Sequence, residues 1–159
     1  LGNPPKKFEK LFQKARDEGF LTVAHAGEEG PPEYIWDSIN LLKVKRIDHG
    51  VQSLKDEKLV DLLIKEQIPL TVCPLSNIKL CVFNKIENHN LKKMLNKGLQ
   101  VMVNSDDPAY FGGYLNKNLI ETHSALNLSI EEIKTLIINS FKSSFLDDSK
   151  KNEWIKKIN

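Results

Sequence analysis

Residues 21–28, LTVAHAGE, show the pattern that decides the fold. An apolar run from Leu21 to Ala24 ends at His25, and Glu28 follows three residues later. Such a run predicts a short strand, here with an imidazole and a carboxylate just beyond its end. The same pattern of an apolar strand followed by polar side chains recurs three more times along the chain.

Three further strands are predicted, and each is followed by polar residues able to do chemistry. Because active sites of barrel enzymes lie at the C-terminal ends of the strands, we expect these side chains to lie at one end of a parallel sheet. The strands are residues 46–50, 68–73 and 99–103, and the polar residues at their ends are His49, Ser76, Asn77, Asp106 and Asp107.

Helical segments separate the strands. Ser129 followed by Glu132 resembles a capping box, which marks the start of a helix. Alternating helices and short apolar strands are typical of parallel α/β units, so we predict one α/β domain covering residues 1–159. The predicted helices are residues 6–18, 33–42, 56–67 and 91–97, with a mostly helical region from about residue 116.

The composition is that of an ordinary globular protein, with 40% hydrophobic and 28% charged residues in 159. A net charge of +2, with the lysines dispersed, argues against a nucleic-acid partner. Only two cysteines occur, which favours a reducing compartment over a disulfide framework. We find no apolar run of about 20 residues and no signal peptide at the start. These features predict a protein of the cytoplasm or nucleus that does not contact a membrane.

The first pair of candidate residues has two interpretations. His25 could be a zinc ligand and Glu28 a general acid beside a metal-bound water. They could also be a buried histidine and an acid placed at a helix start, where acids are favoured. His49 could be a base or orienting group, or it could simply bond a loop carbonyl. Spacing alone leaves these alternatives open.

Asp106 and Asp107 end the fourth strand as adjacent carboxylates. Because neighbouring side chains on an extended chain diverge, one could reach a metal ion and the other a substrate. Alternatively the pair could cap the next segment, with Ser105 and Pro108 as turn residues. The apolar strand before the pair favours the functional interpretation.

Other chemically active residues are predicted to be structural. Cys73 is expected to be a structural thiol followed by a turn at 74–77, His89 a solvated residue in a polar stretch, and His123 a structural residue in a helix. Residues 110–114 could form a substrate-gating loop or an ordinary aromatic loop anchor.

Taken together, four motifs in this order resemble the adenosine deaminase family of metal-dependent amidohydrolases. The wording of residues 28–35 and 106–114 is most similar to the adenine deaminase branch of that family. The four motifs are HAGE at 25–28, DHG at 48–50, CPLSN at 73–77 and SDDP at 105–108.

The resemblance implies a role for each candidate residue. His25 and Asp106 would be zinc ligands, Glu28 would donate a proton to N1 of the purine, and His49 would orient and polarise the attacking hydroxide. Asp107 would hydrogen-bond the imidazole edge of the purine. The expected reaction is hydrolytic deamination of adenine to hypoxanthine and ammonia, as part of purine salvage.

The same resemblance implies the C-terminal half, strands five to eight with their helices, of a TIM-type (β/α)8 barrel. Residues 1–8 resemble the stretch after the fourth strand, and the His-x-His pair that the family has on its first strand is absent. The expected partners are therefore a purine substrate, the N-terminal half of the barrel and, in an oligomer, further copies of the chain. The complete enzyme would hold one zinc ion, which the isolated chain would bind weakly or not at all.

Three alternatives to an adenine deaminase half remain at this point. The first is an adenosine deaminase, which would convert adenosine to inosine. The second is another amidohydrolase that acts on a related amino-heterocycle. The third is a non-catalytic half-barrel that serves as an interaction or oligomerising module, because open sheet edges invite pairing.

Overall fold

A computed structural model describes residues 2–158, so Leu1, the first residue of the stretch assigned to the region after the fourth barrel strand, lies outside it. The chain divides into two compact units. The first unit contains the residues up to Val72 together with Gly98–Gln100, and the second contains Cys73–Lys97 and the residues from Val101 onward. The single domain expected from the sequence stays a prediction.

Three parallel strands form the sheet of the first unit. They are β1 (Val23–Ala26), β2 (Arg46–His49) and β3 (Leu70–Val72), adjacent in chain order. His25 of β1 is in register with Asp48 of β2, which places the two side chains on neighbouring strands. Beyond β3, the amide of Leu70 donates to the carbonyl of Gln100 at 3.0 Å.

The strand expected at 21–24 begins two residues later than its apolar composition suggests. Leu21 is exposed, and pairing with β2 starts only at Val23, opposite Arg46. As a result His25 lies within β1 rather than at its end. The register of pairing with β2 sets these bounds, and the apolar run alone does not reveal it.

Three helices flank the sheet of the first unit: α1 (Glu9–Asp17), α2 (Pro32–Asn40) and α3 (Glu57–Lys65). Asp56 caps α3 by accepting from the amide of Leu59, and it also accepts from the indole N–H of Trp36 at 2.8 Å. The bond from Trp36 is the main cause of a lowered pKa for Asp56. The apolar residues buried in this unit include Ile35, Ile47, Leu59, Leu63 and Leu70.

The second unit contains strand β4 (Val101–Val103) and six helices among its described residues. Ser129 and Glu132 form the predicted capping box at the start of α8. Buried Asn139 donates to the carbonyl of Val101 at 2.9 Å and so ties α8 to the strand. The helices are α4 (Pro74–Lys79), α5 (Leu91–Asn96), α6 (Pro108–Phe111), α7 (Leu115–Leu126), α8 (Ile130–Lys142) and α9 (Asp148–Ile158).

The turn predicted after Cys73 is wrong, because residues 74–79 form helix α4. Pro74 occupies the first helical position, where its fixed φ angle and missing N–H suit a helix start rather than a turn. Cys73 is buried just before this helix, and Cys81 is exposed beyond it.

The solvated surface position predicted for His89 is also wrong, since the side chain is only 4% exposed. A short 3-10 turn at Ile86–Asn88 carries the exposed polar residues and directs His89 inward, where its ring lies 4.5 Å from that of Phe83. His123 lies in α7, as predicted. None of the helices within residues 2–158 combines the length and apolar character needed to cross a membrane.

Candidate active site

Glu28 and His49 form a close pair in the first unit. Oε1 of Glu28 lies 3.1 Å from Nδ1 of His49, whose side chain is 1% exposed, while that of Glu28 is 16% exposed. An imidazole that donates through Nδ1 to a carboxylate carries its basic lone pair on Nε2 when neutral. The pair therefore combines a shielded carboxylate with an imidazole of fixed orientation, the ingredients of general acid–base chemistry.

The loop that carries Glu28 is tightly constrained. Gly27 has a φ of +66°, and a Cβ atom there would lie 2.3 Å from Cδ1 of Ile35. The side-chain amide of Gln52 donates to the carbonyl of Glu28 at 2.9 Å. The backbone amide of Gln52 donates to the carbonyl of Gly27 at 2.8 Å. His49 itself has a φ of +70°, a conformation that non-glycine residues adopt mainly where the surroundings enforce it.

His25 lies beside this pair but faces solvent. Its ring centroid is 5.0 Å from that of His49, and its side chain is 70% exposed. Nδ1 of His25 lies 3.6 Å from Oδ2 of Asp48. Asp48 is in turn held by the hydroxyl of Thr71 at 2.7 Å and by Nε of Arg46 at 3.6 Å. A carboxylate behind one ring nitrogen is typical of histidines that bind metal through the other.

A cavity of about 160 Å³ opens next to these residues in the first unit. His25 and Glu28 line it together with Asn3 and Tyr34, and the remaining walls come from the last residue of β1 and the loop that follows it. The first unit thus brings three sequence-predicted site residues close together: His25 and Glu28 line the cavity, and buried His49 lies directly behind them.

Asp106, another site residue predicted from the sequence, lies in the second unit. Its Oδ2 accepts a hydrogen bond of 2.7 Å from the hydroxyl of Ser76, a fully buried residue of α4. Asp106 is exposed and has a φ of +58°, so it shares with His49 the left-handed backbone that is rare outside glycine. Asp106 therefore lies at the surface, while its Oδ2 is held by the hydroxyl of buried Ser76.

Asp107 has different partners from its neighbour. Its Oδ1 accepts from the amides of Ala109 and Tyr110, both at 3.1 Å, and so caps helix α6. This is the capping role that the sequence left as an alternative, while the contact to substrate stays a prediction. The predicted loop at 110–114 begins inside α6, and the side chains of Tyr110 and Tyr114 are strongly exposed.

The sequence marked Ser76 and Asn77 only as polar residues after the third strand and placed His89 at the surface, whereas all three lie close to Asp106 in the second unit. Asn77 Oδ1 is 3.1 Å from Nε2 of buried His89, and both Ser76 and Asn77 are fully buried. Burial lowers the pKa of His89 from its usual 6.5 to about 4. Ser76 and Asn77 were marked by their place after the third predicted strand, while no signal in the sequence marked His89 as buried.

The donor atoms suit zinc in kind but not in number. Imidazole nitrogen and carboxylate oxygen are common zinc ligands, and His25 and Asp106 each have an orienting partner, Asp48 and Ser76 respectively. Two such residues fall short of the three protein ligands that catalytic zinc sites use. The chemistry of these donors is therefore compatible with zinc.

Histidines and carboxylates that follow parallel strands are characteristic of hydrolases built on α/β barrels. The model of the adenosine deaminase family matches residues 1–159, and the chain therefore belongs to that family. The resemblance that the four motifs suggested is thereby confirmed.

Curated relatives and a solved structure agree with this assignment. The chain is 60% identical over 159 residues to the adenine deaminase of Acinetobacter baylyi and 58% identical over 158 residues to that of Hahella chejuensis. It superimposes on the crystal structure of adenine deaminase from Arthrobacter aurescens with a TM-score of 0.97 and 48% identity, over 99% of this chain and 48% of that one. The chain thus has the predicted α/β fold, the C-terminal half of a (β/α)8 barrel.

The chain spans about half the length of the curated relatives it matches, 48% for Acinetobacter baylyi and 47% for Hahella chejuensis. A more distant structure, an amidohydrolase from Burkholderia ambifaria with bound zinc, is 28% identical with a TM-score of 0.90, and the match covers 99% of this chain and 44% of that one.

Proposed function

We propose that this chain provides half of the active site of a zinc-dependent purine aminohydrolase that converts adenine to hypoxanthine and ammonia. The observation that carries the proposal is the contact between Glu28 and His49, a shielded carboxylate and an oriented imidazole at the ends of adjacent strands. The 60% identity to an adenine deaminase supports the choice of reaction.

Glu28 is the proton donor in this scheme. Water adds to C6 of the purine while Glu28 transfers a proton to N1, which removes the aromatic resistance to the addition. His49 takes the proton that the water loses and passes it to the exocyclic amine, the C6–N bond breaks to release ammonia, and the C6 hydroxyl returns its proton to Glu28, so adenine and water give hypoxanthine and ammonia. The side chain of Glu28 is largely shielded from solvent and lies 3.1 Å from His49, which holds its carboxyl group in a fixed place.

His49 orients and polarises the attacking water. Its Nδ1 is engaged by Glu28, which fixes the ring and leaves Nε2 as the basic nitrogen of the neutral form. His25 and Asp106 would hold zinc, together with ligands from the N-terminal half of the barrel. Zinc, when bound, would lower the pKa of the attacking water toward neutrality. The zinc-containing relative from Burkholderia ambifaria supports this choice of metal.

Asp107 gives the site its preference for a free base. A carboxylate can accept from the N7–H tautomer of adenine, whereas N7 of a nucleoside is only an acceptor and would need a protonated Asp107. A pocket closed by Tyr110, Phe111 or Tyr114 would leave no room for ribose. The expected setting is purine salvage in the cytoplasm.

A substrate panel tests the proposal. The chain is fused to the N-terminal half of the Acinetobacter baylyi adenine deaminase, its 60% identical relative, and kcat/KM is measured for adenine and adenosine. We expect adenine to be clearly preferred. Equal values or a preference for adenosine would contradict the assignment to adenine while leaving a purine aminohydrolase in place.

A further inference from the structure

His89 is hydrogen-bonded at both ring nitrogens although it is buried in the second unit. The amide of Leu91 donates to Nδ1 at 3.0 Å, and Nε2 lies 3.1 Å from Oδ1 of Asn77. Because Nδ1 accepts a hydrogen bond, the neutral ring carries its proton on Nε2 and donates it to Asn77. The direction of each bond is therefore fixed, and His89 links the start of α5 to α4.

Helix α4 transmits this link to Asp106. Asn77 directly follows Ser76, whose hydroxyl donates to Oδ2 of Asp106 at 2.7 Å. The helix has only six residues, so its own hydrogen bonds hold it weakly. On its other side, the side chain of Asn118 accepts from the amide of Leu75 at 3.2 Å. Contacts on either side of Ser76, at Leu75 and at Asn77, thus hold the part of α4 that carries the Ser76 hydroxyl.

We propose that His89 is a positioning residue for the zinc ligand Asp106. By holding Asn77, His89 fixes α4 so that Ser76 keeps the Asp106 carboxylate in the orientation that binds metal. The proposal rests on the proposed function in one respect, the assignment of Asp106 as a ligand. Partners of metal-binding carboxylates typically change metal affinity or activity by about 10- to 100-fold when they are lost.

The two hydrogen bonds of the buried His89 ring favour a positioning role over a role in packing alone. An apolar side chain could fill the position against Phe83 without the cost of burying two polar nitrogens. His89 instead remains neutral far below its usual range, with a pKa of about 4, so the directional bonds persist throughout the neutral range.

Two substitutions of His89 separate positioning from packing. His89→Gln reaches as far as Nε2 and can still donate to Asn77, while it gives up the acceptor for Leu91. His89→Asn reaches only as far as Nδ1, so it can still accept from Leu91 but loses Asn77. Both variants remove the ring and its contact with Phe83, and a packing role would lower the stability of the shorter His89→Asn only by the lost burial of a further methylene group, without moving the Ser76 hydroxyl away from Asp106.

The readout that does not depend on activity is a crystal structure of each variant chain. We expect the distance from Ser76 Oγ to Asp106 Oδ2 to exceed hydrogen-bonding range in His89→Asn and to stay near 2.7 Å in His89→Gln. An unchanged bond in His89→Asn would overturn the proposal. This test stands even if the fused enzyme proves inactive on adenine, a result that would refute the proposed function instead.

Kinetics of the fused enzyme supply the second readout. We expect His89→Asn to lower kcat for adenine by about 10- to 100-fold with little change in KM, and His89→Gln to restore most of the loss. Equal losses in the two variants, measured per folded molecule, would overturn the proposal in favour of packing alone.

Discussion

Nδ1 of His49 lies 3.1 Å from Oε1 of Glu28, and this contact joins the end of β2 to the loop after β1. It has two consequences. It fixes the imidazole in one orientation, and it places a shielded carboxylate where a proton could be given to a substrate. The backbone is constrained on both sides of this contact. Gly27, next to Glu28, and His49 itself both have a positive φ.

Replacing Glu28 with Gln should abolish most activity without loss of fold. Gln has the same length and its Oε1 can still accept from His49, but it cannot donate a proton to N1 at neutral pH. We expect kcat for adenine in the fused enzyme to fall by about 10²- to 10⁴-fold, the contribution of a general acid. A loss below ten-fold would argue against Glu28 as the proton donor.

Gly27→Ala should destabilise the chain more than Gly98→Ala. Both glycines have a positive φ, +66° and +89°, so both substitutions incur the left-handed penalty of roughly 1–2 kcal/mol. Only at Gly27 would the new Cβ meet another atom, Cδ1 of Ile35 at 2.3 Å, which adds about 1–3 kcal/mol of overpacking. Urea unfolding of the two variant chains measures the difference, and equal destabilisation would contradict the predicted clash.

The unfolding free energy should fall as the pH drops from about 6.5 to about 4 because of His89. Its pKa is about 4 in the folded chain and 6.5 when exposed, so between these values only the unfolded chain takes up the proton. The full effect is on the order of 3 kcal/mol, from 1.36 kcal/mol per pKa unit.

The control is His89→Gln, which does not titrate in this range. The difference between the unfolding free energies of the two chains, followed from pH 8 to about pH 4, isolates the histidine from the carboxylates. If the two curves ran parallel, the buried neutral histidine would be refuted.

Asp107→Ala should lower kcat/KM for adenine by an amount equal to about 2–4 kcal/mol of transition-state stabilisation, the range for a charged hydrogen bond in a dry site. Asp107 also caps α6, so the matched variant is Asp107→Asn. Asn can still accept from the amides of Ala109 and Tyr110 but has no charge to pair with N7–H. We expect Asn to recover the helix cap and not the activity, and full recovery would show that the residue only caps the helix.

Sequence patterns predicted the elements that depend on local chemistry. The strand predicted at 46–50 is observed at Arg46–His49, and the capping box of Ser129 and Glu132 is present. His25, Glu28 and His49 lie close together, while their grouping with Asp106 and Asp107 stays a prediction. Each of these follows from a short run of residues, such as an apolar stretch before a polar one. The start of β1 at Val23 was missed because pairing with β2, and not composition, sets it.

The wrong predictions concern residues whose surroundings are set by contacts with distant parts of the sequence. His89 lies in a polar stretch yet is buried, because a 3-10 turn and the ring of Phe83 define its surroundings. The hydrogen bond from Ser76 to Asp106 joins residues 30 positions apart, so no local pattern predicts it. Long-range contacts of this kind are visible only in the folded chain.

Adenine deamination with and without the other barrel half tests the central claim most directly. The chain alone, the N-terminal half of the Acinetobacter baylyi relative alone, and the fusion of the two are assayed for ammonia release from adenine and for retained zinc. We predict activity and about one zinc ion per molecule only in the fusion. Tightly held zinc and adenine turnover in the chain alone, or a folded fusion with neither, would contradict the account.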